Sequence, residues 1–301
     1  MYNKIVVPLD GSNVAEAVLP YVRELADTLK SQVELLGVVE PVLTGIHDYV
    51  YSKHHISVED ALRKETETYL NKASAYFSGT PGSVSTKIVN GLAAERIVEE
   101  AGVNPSTLIA MSTHGRSGIG RWAMGSVTDK VLHMTGKPMF IVRGSDEKPA
   151  AAAAKFRNIL LPLDGSAVAE EALGTAIQIA KSMALKVTLT RITPPASSYY
   201  QLAEYPAINF SQIAEEIDKD AQKYLENAAQ KLKREGLSVE TVLLHGNAAA
   251  AIIDEAKKLP GSMVIMTTHG LSGVKRAILG SVTDRVVTES DRPVLVVTAM
   301  G

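Results

Sequence analysis

One segment of this sequence occurs twice, and this repetition limits the chain to two copies of a similar structural unit. Residues 111–130 and 266–285 align without a gap at an offset of 155, so that Gly115 corresponds to Gly270 and Ser126 to Ser281. Such self-similarity is typical of repeated units. With 301 residues, the chain is long enough for two domains of about 150 residues each.

Each copy of the segment combines a short apolar run, a glycine-punctuated loop and a helix start. Residues 108–111 and 264–266 are typical of buried parallel strands. Ser126 and Ser281 each precede an aspartate by three residues, which is close to the capping-box pattern. We therefore expect a helix to begin at each serine, with the serine as its N-cap.

The loop and the helix start together favour the binding of an anion. Glycines let a loop backbone approach a ligand, and a helix N-terminus offers unpaired N–H groups and the positive end of a dipole. Phosphate is the natural ligand. The alternative is that the glycines serve only tight turns and the serine only caps the helix. The recurrence of the loop in both halves favours phosphate binding over this purely structural role.

A second repeated feature opens each half. Residues 4–12 and 158–166 read as a buried strand that ends in Asp10 or Asp164, followed by Gly-Ser. Open parallel sheets bind their ligands at the carboxyl ends of strands, where these aspartates are expected to lie. Asp-Gly-Ser also favours a turn and a helix start, so a purely structural role stays open.

Apolar strand patterns alternate with amphipathic helix patterns throughout both halves, which predicts an α/β fold. We expect two tandem, doubly wound, flavodoxin-like domains, each a five-stranded parallel sheet with helices on both faces. The predicted domains are 1–144 and 157–301, joined by a proline- and alanine-containing linker, 145–156.

The last strand of each half is entered through a proline, Pro138 or Pro293, which suits an edge strand. Exposed edges are normally covered or paired. We therefore expect the two halves to associate as a pseudo-dimer through these strands, and whole chains to form a homodimer in turn.

The glycine loops resemble the nucleotide loop of the universal stress protein family, whose ATP-binding members carry the pattern G-x2-G-x9-G-[ST]. The second glycine of the pattern and the Gly-[ST] step that follows nine residues later match in both halves. They are Gly115 and Gly125-Ser126 in the first half, and Gly270 and Gly280-Ser281 in the second. The first glycine of the pattern is replaced by Ser112 and Thr267. The resemblance covers nearly the whole chain and implies two tandem domains of the HUP type.

The resemblance further implies one adenine nucleotide per half, ATP or a close relative, alone or with Mg²⁺. The aspartate would lie beside the ribose and adenine, the end of the second strand would line the adenine pocket, and the single histidine would orient the loop. In the first half the implied nucleotide-binding residues are Asp10, Val39, Ser112, His114, Gly115, Arg116, Gly118, Gly125, Ser126 and Val127. In the second half they are Asp164, Ile192, Thr267, His269, Gly270, Gly273, Gly280, Ser281 and Val282.

Composition excludes several other classes of function. The chain contains no cysteine, which removes disulfides, thiol catalysis and thiolate metal sites and fits a reducing compartment. A net charge of −2 gives no overall basic field for nucleic acid. No apolar stretch is long enough to span a bilayer, and the N-terminus does not read as a signal peptide. We expect a cytoplasmic protein that binds neither nucleic acid nor membrane.

Three functions compete at this point. A nucleotide-binding stress or signalling module ranks first, a partner-binding scaffold second, and a phosphoryl- or adenylyl-transferring enzyme third, with slow ATP hydrolysis as an incidental activity. The sequence contains no G-x4-G-K-[ST] loop, no G-x-G-x-x-G at the first strand–helix turn and no H-x-G-H pair. Beyond the aspartates we predict no catalytic residue. Arg116 is replaced by Leu271 in the second loop, whereas Gly120 is replaced by Lys275, which can restore the lost charge. We expect the two sites to differ modestly in affinity. The alternative is that Arg116 is a surface residue and that the two sites are equal.

Overall fold

The computed structural model describes residues 2–41, 51, 57–113, 124–144, 154–195, 198, 209–268 and 279–298. The chain divides into two compact units, residues 1–155 and 156–301. Each unit is an α/β domain built on a five-stranded parallel sheet, so the predicted fold class is confirmed. Most of the predicted linker lies outside the described residues, and the pairing of the halves through their last strands stays a prediction.

The first unit contains strands β1 (Lys4–Pro8), β2 (Gln32–Val39), β3 (Val84–Asn90), β4 (Thr107–Ser112) and β5 (Met139–Val142). Its described helices are α1 (Asn13–Glu16), α2 (Leu19–Leu29), α3 (Val58–Ser74), α4 (Ala93–Gly102) and α5 (Ser126–Met134), with a 3₁₀ turn at Ala75–Phe77. The strand order is β3-β2-β1-β4-β5, all parallel. The order reverses between β1 and β4, which is where doubly wound sheets open a crevice.

The second unit repeats this arrangement. Its strands are β6 (Asn158–Pro162), β7 (Lys186–Thr193), β8 (Val239–His245), β9 (Ser262–Thr267) and β10 (Val294–Val297). Its described helices are α6 (Ala167–Met183), α7 (Phe210–Arg234), α8 (Ala248–Lys258) and α9 (Ser281–Glu289). The order β8-β7-β6-β9-β10 is again parallel, and it reverses between β6 and β9.

The central strands are apolar on both faces because helices cover both faces of each sheet. The β1 residues Ile5, Val6 and Val7 are fully buried, as are residues 159–161 in β6. No helix within the described ranges combines the length and apolar character needed to cross a membrane.

Serine caps fix the first helix of each unit directly after its central strand. The Ser12 hydroxyl accepts a hydrogen bond from the Ala15 amide at 3.1 Å, and Ser166 accepts one from Ala169 at 3.0 Å. These bonds satisfy N–H groups that would otherwise have no partner in the helix. The expected helix start after each Asp-Gly-Ser is therefore confirmed.

A close contact on one face of the first sheet limits a position in β2 to glycine. A Cβ atom on Gly37 would overlap Thr66 Cγ2 and lie 3.1 Å from Leu70 Cδ1, both on α3. Thr66 cannot simply rotate away, because its hydroxyl donates a hydrogen bond to the Leu62 carbonyl oxygen at 2.8 Å. The helix thus packs on the strand where no side chain intervenes.

We predict that Gly37→Ala lowers the free energy of unfolding by about 1–3 kcal/mol, because the added methyl group overpacks the interface. Gly174→Ala in α6 is the control, since its Cβ meets nothing within 4 Å and alanine favours a helix. The control should stabilise the chain by about 0.5–1 kcal/mol. Thermal and urea unfolding of the full chain compares the two variants, and equal effects would contradict the packing argument.

Candidate functional site

A cleft opens in the first unit where the strand order reverses. The carboxyl ends of β1, β2 and β4 and the N-termini of α4 and α5 enclose a cavity of about 220 Å³. One end is apolar, and the end beside α5 is polar. Its lining residues are Pro8, Leu9, Asp10, Ala15, Leu36, Val38, Ala93, Ile97, Met111, Ser112, Gly125, Ser126, Val127 and Thr128.

The second unit has an equivalent cavity of about 310 Å³. At every position that lines both cavities, the two units carry the same residue, except that Val38 corresponds to Ile192 and Ser112 to Thr267. The residues that line the second cavity are Pro162, Leu163, Asp164, Ala169, Ile192, Ala248, Ile252, Met266, Thr267, Gly280, Ser281, Val282 and Thr283. The clefts are therefore near-duplicates in their interiors.

The N-terminus of α5 is held against the end of β4 by the helix's own third residue. Thr128 is buried, and its hydroxyl donates to the Ser112 carbonyl oxygen at 2.8 Å. The Gly125 amide also donates to the Thr113 carbonyl oxygen. The second unit repeats both bonds, from Thr283 to Thr267 at 2.9 Å and from Gly280 to Thr268 at 2.8 Å.

The prediction that Ser126 and Ser281 cap these helices is wrong. The N-cap residues are Gly125 and Gly280, in extended conformation, and neither helix has a side-chain cap. The buried threonine fixes the helix start one residue earlier than the serine pattern indicated. Because glycine has no side chain, the N-cap residue itself leaves the first-turn N–H groups, which carry the positive end of the helix dipole, without a side-chain cap.

Asp10 lies at the mouth of the first cleft and also shapes it. Its carboxylate oxygen Oδ1 accepts hydrogen bonds from the Ser12 amide at 3.0 Å and from the Ser12 hydroxyl at 2.6 Å. The intervening Gly11 has a φ of 86°, a conformation that glycine adopts readily. Asp164 accepts a hydrogen bond from the Ser166 amide at 2.9 Å in the same way. The turn role is therefore confirmed, and both aspartates also line the cavities, whereas their role in binding a ligand stays a prediction.

A tyrosine and a glutamate support this turn in each unit, and the sequence analysis did not identify them. Tyr224 on α7 donates to the Glu170 carboxylate at 3.1 Å. Tyr69 on α3 takes the equivalent place beside Glu16. Burial, reinforced by the nearby Glu16 and Asp10 carboxylates, raises the pKa of Tyr69 far above its usual value. Burial raises the pKa of Tyr224 as well, so both tyrosines are protonated at neutral pH.

The structure places Val38, and not Val39, in the first cleft. Successive strand residues face opposite sides of a sheet, so Val39 belongs to the face that α3 covers. Strand pairing shows the equivalence directly, because Val38 pairs with Val89 just as Ile192 pairs with Leu244. The expectation for Val39 is thus wrong by one residue, whereas Ile192 does line its cavity.

The remaining predicted residues fall into two groups. The structure brings together those at the strand ends and helix starts, namely Asp10, Ser112, Gly125, Ser126 and Val127 in one unit and Asp164, Ile192, Thr267, Gly280, Ser281 and Val282 in the other. The loop residues lie outside the described residues: His114, Gly115, Arg116, Gly118, His269, Gly270 and Gly273.

The sequence analysis missed the part of each lining that comes from distant elements, above all Ala93 and Ile97 on α4. The available signal was the identity of these positions with Ala248 and Ile252 in the second half. Among the described residues, no group of three or more acidic, histidine or cysteine side chains could hold a metal ion.

The two hydroxyls at the start of α5 should differ sharply in their contribution to stability. We predict that Thr128→Val lowers the free energy of unfolding by about 1–3 kcal/mol, because it leaves the Ser112 carbonyl oxygen without its buried donor. Ser126→Ala should change it by less than about 0.5 kcal/mol, because this exposed serine is not the cap. Unfolding experiments without nucleotide measure the change in the free energy of unfolding for both variants. A larger loss for Ser126→Ala than for Thr128→Val would indicate that Ser126 is the helix cap and would contradict this prediction.

Comparison with known proteins assigns both units to one family. The Universal stress protein family model matches residues 1–143 and 155–298. A universal stress protein of Mycolicibacterium smegmatis is 22% identical over 295 residues, covering 97% of this chain and 96% of the relative. Universal stress protein YxiE of Bacillus subtilis is 32% identical over 146 residues, or 47% of this chain and 99% of the relative.

Similarity to a solved structure extends over both units. The crystal structure of a universal stress protein from Archaeoglobus fulgidus has a TM-score of 0.72 at 20% identity, covering 99% of this chain and 96% of that one. At this identity the likeness shows the fold alone. Together with the two family matches, it shows that the chain belongs to the universal stress protein family and carries two of its domains in tandem.

Proposed function

We propose that each unit binds one adenine nucleotide, ATP or a close relative, and that the chain is a nucleotide-responsive stress or signalling protein. The observation that carries the proposal is the repeated helix N-terminus without a side-chain cap, held at the polar end of a cleft whose other end is apolar. Backbone N–H groups in this arrangement bind phosphate. The recurrence of the whole cleft in both units supports one site per unit.

The lining suggests how the nucleotide would lie. The adenine ring would occupy the apolar end between Val38 and Ile97, or between Ile192 and Ile252 in the second unit. Asp10 or Asp164 would accept hydrogen bonds from the ribose hydroxyls. The phosphates would extend along the start of α5 or α9. The first cavity, about 220 Å³, is smaller than most small-molecule pockets, and the second, about 310 Å³, is at the lower end of their range. Both volumes suit a base and ribose with the phosphates outside the cavity.

Binding ranks ahead of catalysis in this proposal. Hydrolysis would need a base or metal ion aimed at the attacking water, whereas the cleft offers contacts that serve the base, ribose and phosphates alike. Mg²⁺ would enter only with the nucleotide. The cysteine-free sequence is suited to the cytoplasm, where we propose that the protein acts. We also propose that its two halves pair through their last strands.

Filling the apolar end of one cleft should remove one equivalent of nucleotide. Ala93 and Ala248 occupy equivalent positions at the first turn of α4 and α8, so Ala93→Phe and Ala248→Phe are matched blocking variants. We expect calorimetric titration of the full chain with ATP to give two equivalents, with each variant weakening one site roughly ten- to hundredfold. The double variant should retain neither site.

The control is Val103→Phe, at the opposite end of α4, where the side chain is 75% exposed. This variant should keep both equivalents and the ATP affinity of the unaltered chain. A chain that binds no adenine nucleotide, or a double variant that still binds two, would refute the proposed function. Thermal unfolding of each variant separates blocked binding from loss of the fold.

A further inference from the structure

An arginine supports the aspartate turn of the second cleft from behind. Arg191 precedes Ile192 on β7, and because successive strand residues face opposite sides of a sheet, it lies on the α7 face and does not line the cavity. From there it reaches the turn that follows Asp164. A Cβ atom on Gly165 would lie 3.2 Å from Nη1 and Nη2 and 3.3 Å from Cζ of Arg191. These nearly equal distances show that the planar face of the guanidinium covers the turn.

The same guanidinium lies over an anchored tyrosine. Its Cζ atom is 5.0 Å from the centre of the Tyr224 ring. The Tyr224 hydroxyl donates to Glu170 Oε1 at 3.1 Å, and Lys231 donates to Oε2 of the same glutamate at 3.0 Å. Burial and the Glu170 carboxylate raise the pKa of Tyr224, and Asp164 lies close enough to add to this effect. Arg191 therefore connects the turn to a tyrosine that is itself held in place.

A polar cluster at the end of β7 fixes the helix that carries this tyrosine. Thr193 is buried, and its hydroxyl donates to Asp218 Oδ1 on α7 at 2.7 Å. The ring nitrogen Nδ1 of His245 lies 2.9 Å from the same hydroxyl. Asp218 precedes Tyr224 on the same helix. The cluster thus joins α7 to the strand on which Arg191 lies.

The first unit can form neither of these contacts. Gly37 is equivalent to Arg191, and α3 leaves no room there for a side chain. At the positions of the threonine, aspartate and histidine of the cluster, the first unit carries Val39, Arg63 and Asn90. Valine has no hydroxyl group, so the bond from strand to helix cannot form. The two aspartates differ accordingly, since Asp10 is exposed and Asp164 is partly buried.

We propose that Arg191 is a positioning residue for Asp164, and that the second cleft therefore discriminates more strongly than the first for a nucleotide with ribose hydroxyls. This inference rests on the proposed nucleotide binding, in which the aspartate accepts hydrogen bonds from the ribose. A carboxylate that is held in place before binding loses less conformational freedom when the ligand arrives, so its hydrogen bonds contribute more to affinity. Arg191 acts through the turn, because its planar face covers Gly165.

The experiment compares ATP with 2′,3′-dideoxy-ATP, which lacks both ribose hydroxyls, at one cleft at a time in the full chain. Ala93→Phe blocks the first cleft and isolates the second, and Ala248→Phe does the reverse. Calorimetric titration gives the ratio of the two affinities at each cleft. We expect ATP to bind roughly 30-fold more tightly than the dideoxynucleotide at the second cleft, and roughly threefold more tightly at the first.

Substitutions of Arg191 then test the contact itself. Arg191→Leu should lower the ratio at the second cleft to about threefold, by weakening ATP binding about tenfold while leaving dideoxy-ATP binding unchanged. A general loss of the fold would weaken both nucleotides alike. Arg191→Lys keeps the charge but has no planar group, so it should lower the ratio as much as Arg191→Leu. Arg234→Leu, at the exposed end of α7, is the matched control and should preserve the ratio.

A double-mutant cycle tests whether Arg191 acts through the aspartate. Asp164→Ala should lower the ratio at the second cleft to nearly one. In that background Arg191→Leu should have no further effect on ATP affinity, because the group that it positions is gone. A second tenfold loss of ATP affinity in the double variant would show that Arg191 acts by another route and would contradict the proposal.

Two other results would overturn this inference and leave the proposed function standing. One is an equal ratio at two working clefts, and the other is an Arg191→Leu variant with the unaltered ratio. An Arg191→Lys variant that keeps the ratio would assign the effect to charge and would contradict the contact through the planar face. A chain that binds neither nucleotide would refute the proposed function as well.

Discussion

The hydrogen bond from a buried threonine to the last residue of the preceding strand determines the geometry of each cleft. Thr128 and Thr283 join the first turn of a helix to the carbonyl oxygen of Ser112 or Thr267. The N-cap residue of each helix is a glycine, which has no side chain to cover the first-turn N–H groups. These groups lie at the crevice where the strand order reverses. The aspartate turn completes one wall from the neighbouring strand, and α4 or α8 supplies the apolar end.

Duplication has preserved the interior of the cleft and left its rim free to differ. The lining residues Ile97, Met111 and Thr128 also pack the helices against the sheet, so substituting them would disturb the fold as well as the site. An exposed position at the edge of the cleft such as Pro194 carries no such constraint. Two cavities with near-identical interiors are the result.

The contrast between Gly37 and Arg191 shows how helix packing decides which side chain a strand position can hold. In the first unit α3 lies so close to β2 that only glycine fits. In the second unit, a long side chain at the equivalent position lies between Tyr224 and the turn after Asp164. A difference in helix packing thus decides whether a side chain fits at this position of the strand.

The sequence by itself determined the duplication, the α/β class, the succession of strands and helices along the chain and the approximate place of each candidate site. These features depend on local periodicity and on a repeated loop. Tertiary structure decided which residues line the two cavities. Strand side chains alternate with a period of two, so a shift of one residue exchanges Val38 for Val39. The bond from Thr128 to β4 made Gly125, and not Ser126, the helix cap. Ala93 and Ile97 reach the cleft only because parallel strands bring the ends of distant segments to one edge of the sheet.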